Sequence, residues 1–261
     1  NDARQAINQA IRQELGLAAQ GQAFARLERV DLTRAQAKEV EAYKAGMVLE
    51  AERAYRAVGI EKGERLVVEA FDFERKTIGL RHENGQRVEW DPRKLTQFTT
   101  YRQTEIDLAA GDRVQITKGD NQAGIKNRDF AEVIGIDRAQ RVVRVRRHDG
   151  KEFDLDTARA LHLDYGYAST IHSAQGATVR RIIVDMDTRA RTTNDAAFYV
   201  ALSRGREALR IYTNNMKGLP EAIQRVSRKR AALEVLERRS PQPPTPDFSR
   251  AKDGPTRERV R

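Results

Sequence analysis

Apolar side chains recur at three- and four-residue spacing at the start of the chain, at Ala3, Ile7, Ala10, Ile11 and Leu15. This spacing predicts an amphipathic helix, capped by Asn1 or Asp2 and stopped at Gly16. The next stretch carries a weaker pattern: AFARLERVDL alternates like a strand, and RAQAKEVEAY has the spacing of a helix. From Arg65 onward the chain changes to short alternating runs rich in β-branched residues, broken by Asn-Gly and Asp-Gly pairs. Such pairs favour tight hairpin turns, so this region predicts antiparallel sheet.

The alternating region is written twice. Residues 67–91, VVEAFDFERKTIGLRHENGQRVEWD, align without a gap on residues 132–156, EVIGIDRAQRVVRVRRHDGKEFDLD, at an offset of 65. Val68 meets Val133, Ile78 meets Val143, Leu80 meets Val145, Gly85 meets Gly150 and Asp91 meets Asp156. One small antiparallel unit, used twice, is expected.

From Tyr165 the pattern changes again. A buried strand is expected at 182–186, a helix over AAFYVALSRGRE, a strand at 209–213, and a last helix opening at Pro220 that buries Ile223, Val226, Leu233 and Leu236. Strands alternating with helices predict a parallel sheet with helices on its faces. The fold class expected for the whole is therefore α/β plus β. The final stretch, residues 240–261, is rich in proline and poor in apolar side chains, and a disordered linker is expected there.

Composition narrows the function. The formal net charge of the 261 residues is +10, and little of that excess lies in the tail. A basic fold favours a polyanion, and nucleic acid first, because binding releases condensed counterions. Cysteine is absent, which excludes disulfides and thiolate metal sites, and no metal site is expected. No apolar run is long enough to span a membrane, so no membrane insertion is expected. The opening at Asn1, with neither an initiator Met nor a signal-like stretch, gives the expectation of a piece of a longer chain. No GxxxxGK[ST] sequence occurs, and the Gly150-Lys151 pair sits in a hairpin turn.

Two stretches carry chemistry. YASTIHSAQGATV resembles motif V of superfamily 1 helicases, and YVALSRGRE resembles their motif VI, in the family's order. The physical logic is that a motor must sense the γ-phosphate from a moving domain. A guanidinium suits this, being always charged and presenting a rigid fork of donors. The resemblance makes Arg204 the arginine finger of motif VI, with Arg206 as a neighbour that sequence does not separate from it. It places Gln175 and Gly176 on the nucleotide side, and Thr170 and His172, flanked by Ser169 and Ser173, on single-stranded DNA.

Within these helicases the chain is most similar to the RecD-like branch and its conjugative relaxase-helicases of the TraI and TrwC type. NDARQAINQAIRQEL, RLVVEAFDFERKTIGLRHENGQRVEWDP, GDRVQITKGDNQAGIKNRDFAEVIGID and LDYGYASTIHSAQGATV carry the similarity, over roughly residues 1–218. The resemblance implies a partial second RecA-like domain formed by residues 1–30 and 160–239. An insertion at 31–159 would interrupt it, holding two SH3-like barrels at about 61–98 and 110–159. It further implies a parent that nicks plasmid DNA, unwinds it 5′ to 3′ with ATP and Mg, and passes from the donor cytoplasm to the recipient through a type IV secretion system. The missing first RecA-like domain of the same polypeptide would be a partner, so this chain alone should neither hold a nucleotide nor hydrolyse it.

Two roles follow from this reading. The chain can be a motor part whose barrels guide DNA, or a recognition module whose barrels present a translocation signal to the type IV coupling protein. A stand-alone single-stranded DNA clamp is the alternative. The loop at 119–129 is a candidate surface in either case: Lys118, Lys126 and Arg128 supply cations, Asn121, Gln122 and Asn127 supply amides, and Gly119 and Gly124 allow close approach.

Overall fold

A computed structural model describes residues 2–120, 124–171, 173 and 179–225. The expectations for His172, Gln175, Gly176, Val226, Leu233, Leu236 and the tail at 240–261 lie outside those residues. The chain divides into two compact units, residues 1–174 and 175–261.

The first unit is built of two antiparallel sheets. Strand β1 (Gln22–Arg29), β2 (Val48–Ala51), β3 (Arg65–Asp72), β4 (Thr77–His82), β5 (Arg87–Trp90) and β6 (Phe98–Leu108) form the first, in the order β1-β6-β2-β3-β4-β5. Strand β7 (Arg113–Ile116), β8 (Phe130–Asp137), β9 (Val142–Arg147), β10 (Glu152–Asp156) and β11 (Leu163–Tyr165) form the second, in the order β10-β9-β8-β7-β11. Remove β1 and the two orders are the same.

The internal repeat is thus structural, and it reaches further than the alternation alone shows. Strands β3, β4 and β5 begin at 65, 77 and 87, and β8, β9 and β10 begin at 130, 142 and 152. The ladder slips between Val68 and Ala70 in one unit and between Val133 and Gly135 in the other. Gly85 and Gly150 hold the equivalent hairpin turns at φ 87° and 84°. The match extends upstream, where Gly46 and Gly111 are both left-handed and donate to Val68 and Val133. It also takes in the loops: Tyr55 bridges Ile60 as Asp120 bridges Ile125. Downstream, Ala51 pairs with Phe98 as Ile116 pairs with Leu163. Each repeat has its own core at matching positions, with Leu49, Val68, Ile78 and Leu80 in the first and Val114, Val133, Val143 and Val145 in the second. In the pairing of the described strands each repeat is a four-stranded meander, β2 to β5 or β7 to β10, with a fifth strand, β6 or β11, returning beside the first.

Two stretches differ from expectation. RAQAKEVEAY forms only short 3-10 turns, Gln36–Lys38 and Val40–Ala42, because Glu39 is extended at φ −100° and Val40 and Tyr43 turn into the first core. AFARLERVDL is mostly strand β1, and it pairs with β6 along Gln22–Arg29. Residues 22–29 therefore sit in the first antiparallel sheet, inside the stretch that the resemblance gave to a RecA-like domain.

Helix α1 (Asp2–Glu14) forms as its periodicity requires, with a different face inward. Ile7 and Leu15 are exposed, while Asn8 and Arg12 are buried. Hydrophobic spacing finds a helix; it does not say which face finds a partner.

The second unit has two parallel strands, β12 (Val179–Met186) and β13 (Gly205–Thr213), with Val184 beside Ile211. Between them runs α2 (Asp195–Leu202), capped by Asn194, whose side chain accepts from the Ala197 amide at 2.9 Å. Helix α3 (Leu219–Gln224) follows, with Leu219 and Ala222 as its buried residues and Ile223 only half-buried. Val184 and Met186, Ala197 and Ala201 are buried, while Ile183 and Tyr212 are exposed. The strand–helix–strand alternation is as the sequence predicts, but two parallel strands are a much narrower layer than a RecA-like sheet. The helix expected over AAFYVALSRGRE stops at Leu202, and Gly205 already opens β13. Gly205 is needed there: a Cβ would stand 2.9 Å from the Ile182 side chain and 3.1 Å from the Ala208 carbonyl.

Candidate nucleic-acid and nucleotide sites

The stretch leading to the loop that resembles motif V is tethered at every residue from 164 to 168. Asp164 accepts from Arg4 at 2.7 Å and from Arg26. Tyr165 donates its hydroxyl to the Asp107 carbonyl at 2.6 Å and carries the Arg12 guanidinium over its ring at 4.7 Å. The Gly166 amide donates to Arg113, and a Cβ here would lie 2.9 Å from the Val114 backbone, so no larger residue fits. Tyr167 donates to Asp112 at 2.8 Å, and the Ala168 amide donates to Asn8 Oδ1 at 2.7 Å. Burial pushes both Tyr165 and Tyr167 up to about 12, so both stay neutral donors.

Directly after this strap Ser169 and Thr170 are exposed. The Thr170 hydroxyl accepts the Ser173 amide at 3.2 Å, and the Ser173 hydroxyl donates to the Thr170 carbonyl at 2.9 Å. The turn keeps Ser169 and Thr170 on the surface. Of the expected contact residues in this motif, only Thr170 is among those described.

Lys126 and Arg128 share one exposed loop between β7 and β8. The Lys126 amide donates to Asp129 at 2.9 Å, and the residue is exposed. Arg128 has φ 71°, a left-handed backbone, and at the same place in the first repeat stands Gly63 at φ 80°. A non-glycine residue there carries strain, which tends to be retained where a side chain is needed. Arg147 reaches over this loop, donating to Asp129 at 2.9 Å and to the Gly124 carbonyl at 3.4 Å. Lys118 belongs to another cluster: its ammonium lies 2.6 Å from the buried Glu50 carboxylate, whose other oxygen faces His162 Nε2 at 3.2 Å. Burial alone would raise the Glu50 pKa, but His162 and Lys118 outweigh it and bring the group down to about 2. Periodicity could not have shown this junction, because its three members come from both repeats.

Arg204 lies in the second unit, in the turn that joins α2 to β13. It is half-buried, with Nε 3.3 Å from the Val200 carbonyl and a terminal nitrogen 3.0 Å from the Ser203 hydroxyl. Glu207 pairs with Arg180 at 2.7 Å, across the two strands. Arg206 is exposed on β13. Among the described residues no group of His, Asp and Glu has the makings of a metal site.

Residues 26–108, from the second half of β1 to the end of β6, match the family described as DNA relaxase TraI 2B/2B-like domain. Residues 165–212, from the strap to β13, match the UvrD-like helicase C-terminal domain. The chain is 28% identical over 203 residues to the multifunctional conjugation protein TraI of Escherichia coli K12, covering 76% of this chain and 11% of that protein. It is 31% identical over 146 residues to a second Escherichia coli TraI, covering 53% of this chain and 8% of the relative. The conjugal transfer protein TraA of Rhizobium radiobacter is 30% identical over 131 residues, 48% of this chain and 12% of TraA. Over most of its length this chain is similar to a segment of TraI-type conjugation proteins.

The TraI-like chain thus spans about a tenth of the length of the curated relatives it matches. Its second repeat, from Gly111 to Tyr165, falls almost wholly between the two family matches. Solved structures similar to it include one of two coordinating Pif1 helicases on forked double-stranded DNA, at 24% identity and a TM-score of 0.38 over 51% of this chain and 32% of that one. Another is Bacteroides Pif1 in complex with ADP-AlF3 and single-stranded DNA, at 16% identity and a TM-score of 0.26 over 90% of this chain and 43% of that one.

Proposed function

We propose that this chain supplies motifs V and VI of an ATP-driven 5′ to 3′ DNA helicase within a conjugative relaxase-helicase, and that its doubled β-unit guides single-stranded DNA. The observation that carries the reading is the order of its parts: a TraI 2B/2B-like stretch, then a helicase C-terminal stretch that takes in both Thr170 and Arg204.

In this reading Thr170, His172, Lys126 and Arg128 contact the phosphates of single-stranded DNA. Gln175, Gly176 and Arg204 face the nucleotide. Arg204 fits its role by position: it sits on the rigid join of a helix and a strand, held at Nε by the Val200 carbonyl. There it would stabilise charge on the transferring phosphoryl group. ATP and its Mg²⁺ would be held mainly by a first RecA-like domain elsewhere in the polypeptide. The repeats, as SH3-like modules, would also present the signal read by the type IV coupling protein when the protein leaves the donor cytoplasm for the recipient. The alternative, a DNA clamp with no transport role, shares the same DNA contacts.

A salt titration of single-strand binding tests the core of the proposal. K126A with R128A should weaken binding and flatten the slope of log K against log salt by about 1.4, the value for two lost phosphate contacts on a single strand. An unchanged slope would remove the loop from the DNA path. Normal DNA binding with reduced protein transfer to recipient cells would assign the loop to the transport signal.

A further inference from the structure

The first repeat serves as an internal control for the second, and one position breaks the match. After the left-handed Gly46 comes Met47, buried in an apolar core; after the left-handed Gly111, 65 residues on, comes Asp112, with no exposed surface at all. The local backbone is the same. The Met47 amide donates to Lys44 at 3.1 Å and the Asp112 amide to Ala109 at 3.0 Å. Even the return contact is kept, from the Lys44 amide to the Met47 sulfur at 3.3 Å and from the Ala109 amide to Asp112 Oδ2 at 2.8 Å. The unit therefore folds with an apolar residue here and does not need a carboxylate.

Burying a carboxylate is costly unless it is paired and hydrogen-bonded. Asp112 is both. Arg12 approaches with its fork, Nε at 2.8 Å from Oδ1 and a terminal nitrogen at 3.1 Å from Oδ2, and the Tyr167 hydroxyl adds a bond at 2.8 Å to Oδ1. Both Arg12 and Tyr167 lie outside the repeat, one on α1 and the other on the strap. The inward stripe of α1 is the half-buried Arg4 and the buried Asn8 and Arg12, spaced one turn apart, and its three members hold Asp164, the Ala168 backbone and Asp112. The inward polar residues of this helix serve chiefly the five residues before the exposed turn and the acid beneath them, with one further bond from Arg12 to the Leu17 carbonyl at 3.5 Å.

We propose that Arg12, Asp112 and Asn8 are positioning residues, which fix residues 164–168 so that Ser169 and Thr170, which follow directly, are held in place to meet single-stranded DNA. The positioning claim rests on the DNA reading given above. In mechanical terms, α1 and the second repeat together form the anchor of the motif V loop, and Asp112 is the point at which all three meet. An Arg–carboxylate fork suits such an anchor because it fixes orientation as well as distance.

The test uses the internal control. R12M with D112M removes both charges together and gives the second repeat the residue that the first already carries. Hydrogen exchange on this full chain should leave Val133 and Val145 amides protected, while Gly166 and Ala168 amides exchange about tenfold faster or more, the range expected when charge-assisted bonds are lost. N8A should release Ala168 with little change at Gly166, and R12K, which keeps the charge without the fork, should fall between. Single-strand affinity should drop several-fold in R12M/D112M with its salt slope unchanged, because no phosphate contact is removed. Unchanged exchange at 166 and 168 would overturn the proposal, and so would equal loss of protection in β8 and β9, which would make Asp112 part of the repeat's own core. If the unaltered chain fails to bind single-stranded DNA, the DNA reading falls, and the exchange arm still decides whether the anchor exists.

Discussion

Arg147 ion-pairs with Asp129 at 2.9 Å in the place where, 65 residues earlier, His82 Nδ1 lies 2.6 Å from Glu64. Both pairs close the end of the sheet where the long loop returns to the next strand. The site asks for a donor facing an acid, and two different chemistries meet the demand.

The first prediction follows from that equivalence. Grafting the second pair onto the first repeat, H82R with E64D, should leave it folded and cooperative, with a melting temperature within about 8 °C of the parent chain, the shift expected for roughly 1 kcal/mol in a small domain. Thermal unfolding followed by circular dichroism measures this. Loss of the cooperative transition would mean that the two places are not interchangeable.

A second prediction concerns Gly63 and Arg128, both left-handed. R128G should stabilise the second repeat by up to about 1 kcal/mol, since relief of left-handed strain exceeds the added chain entropy. G63A should destabilise the first by about 1 kcal/mol. Chemical denaturation decides both signs; a destabilised R128G would mean that the arginine side chain makes contacts that outweigh its backbone strain.

Glu50 sets the acid limb of stability. Its folded pKa of about 2 is below the ordinary 4.5, so its contribution is present above 4.5 and is lost as pH falls through about 2. The sign follows from the Lys118 ammonium, 2.6 Å away, which favours the charged carboxylate in the folded chain. E50Q should lower stability at pH 7 and show a shallower loss between pH 4.5 and 2. Parallel acid curves for E50Q and the parent chain would show that Glu50 is not the group responsible.

Arg204 gives the fourth. In the full-length protein R204A should reduce DNA-stimulated ATP turnover by about a thousandfold, within the range for loss of an arginine finger. Single-strand affinity should stay within about twofold. The isolated chain should show no turnover with either residue, because it carries no phosphate-binding loop. A large loss of DNA affinity in R204A would make this residue a structural tie between α2 and β13.

Strand positions were legible because alternation and hairpin glycines are local signals, and a constant offset of 65 needs no three-dimensional knowledge. The full repeat was harder to see. Beyond residues 67–91 its likeness lies in backbone shape: Gly63 against Arg128 and Met47 against Asp112 share conformation and no chemistry. The inward face of α1 was not legible either, since its partners Asp112, Asp164 and Ala168 come from far along the chain, and a polar stripe has no periodic signature to distinguish it from a solvated one. Arg204 and Thr170 are candidates from motif resemblance alone, which reports residue order and says nothing of the strap that precedes the loop.

The strap also imposes an order of assembly. Arg4 meets Asp164 and Asn8 meets Ala168 across 160 residues of sequence, whereas each repeat closes within itself. Local contacts form early and distant ones wait for the chain between them. During synthesis the first repeat can fold as it leaves the ribosome, then the second, and α1 cannot complete its contacts until residue 168 has emerged. The helix made first is therefore among the last pieces to be placed, and until it docks the motif V loop has no fixed base.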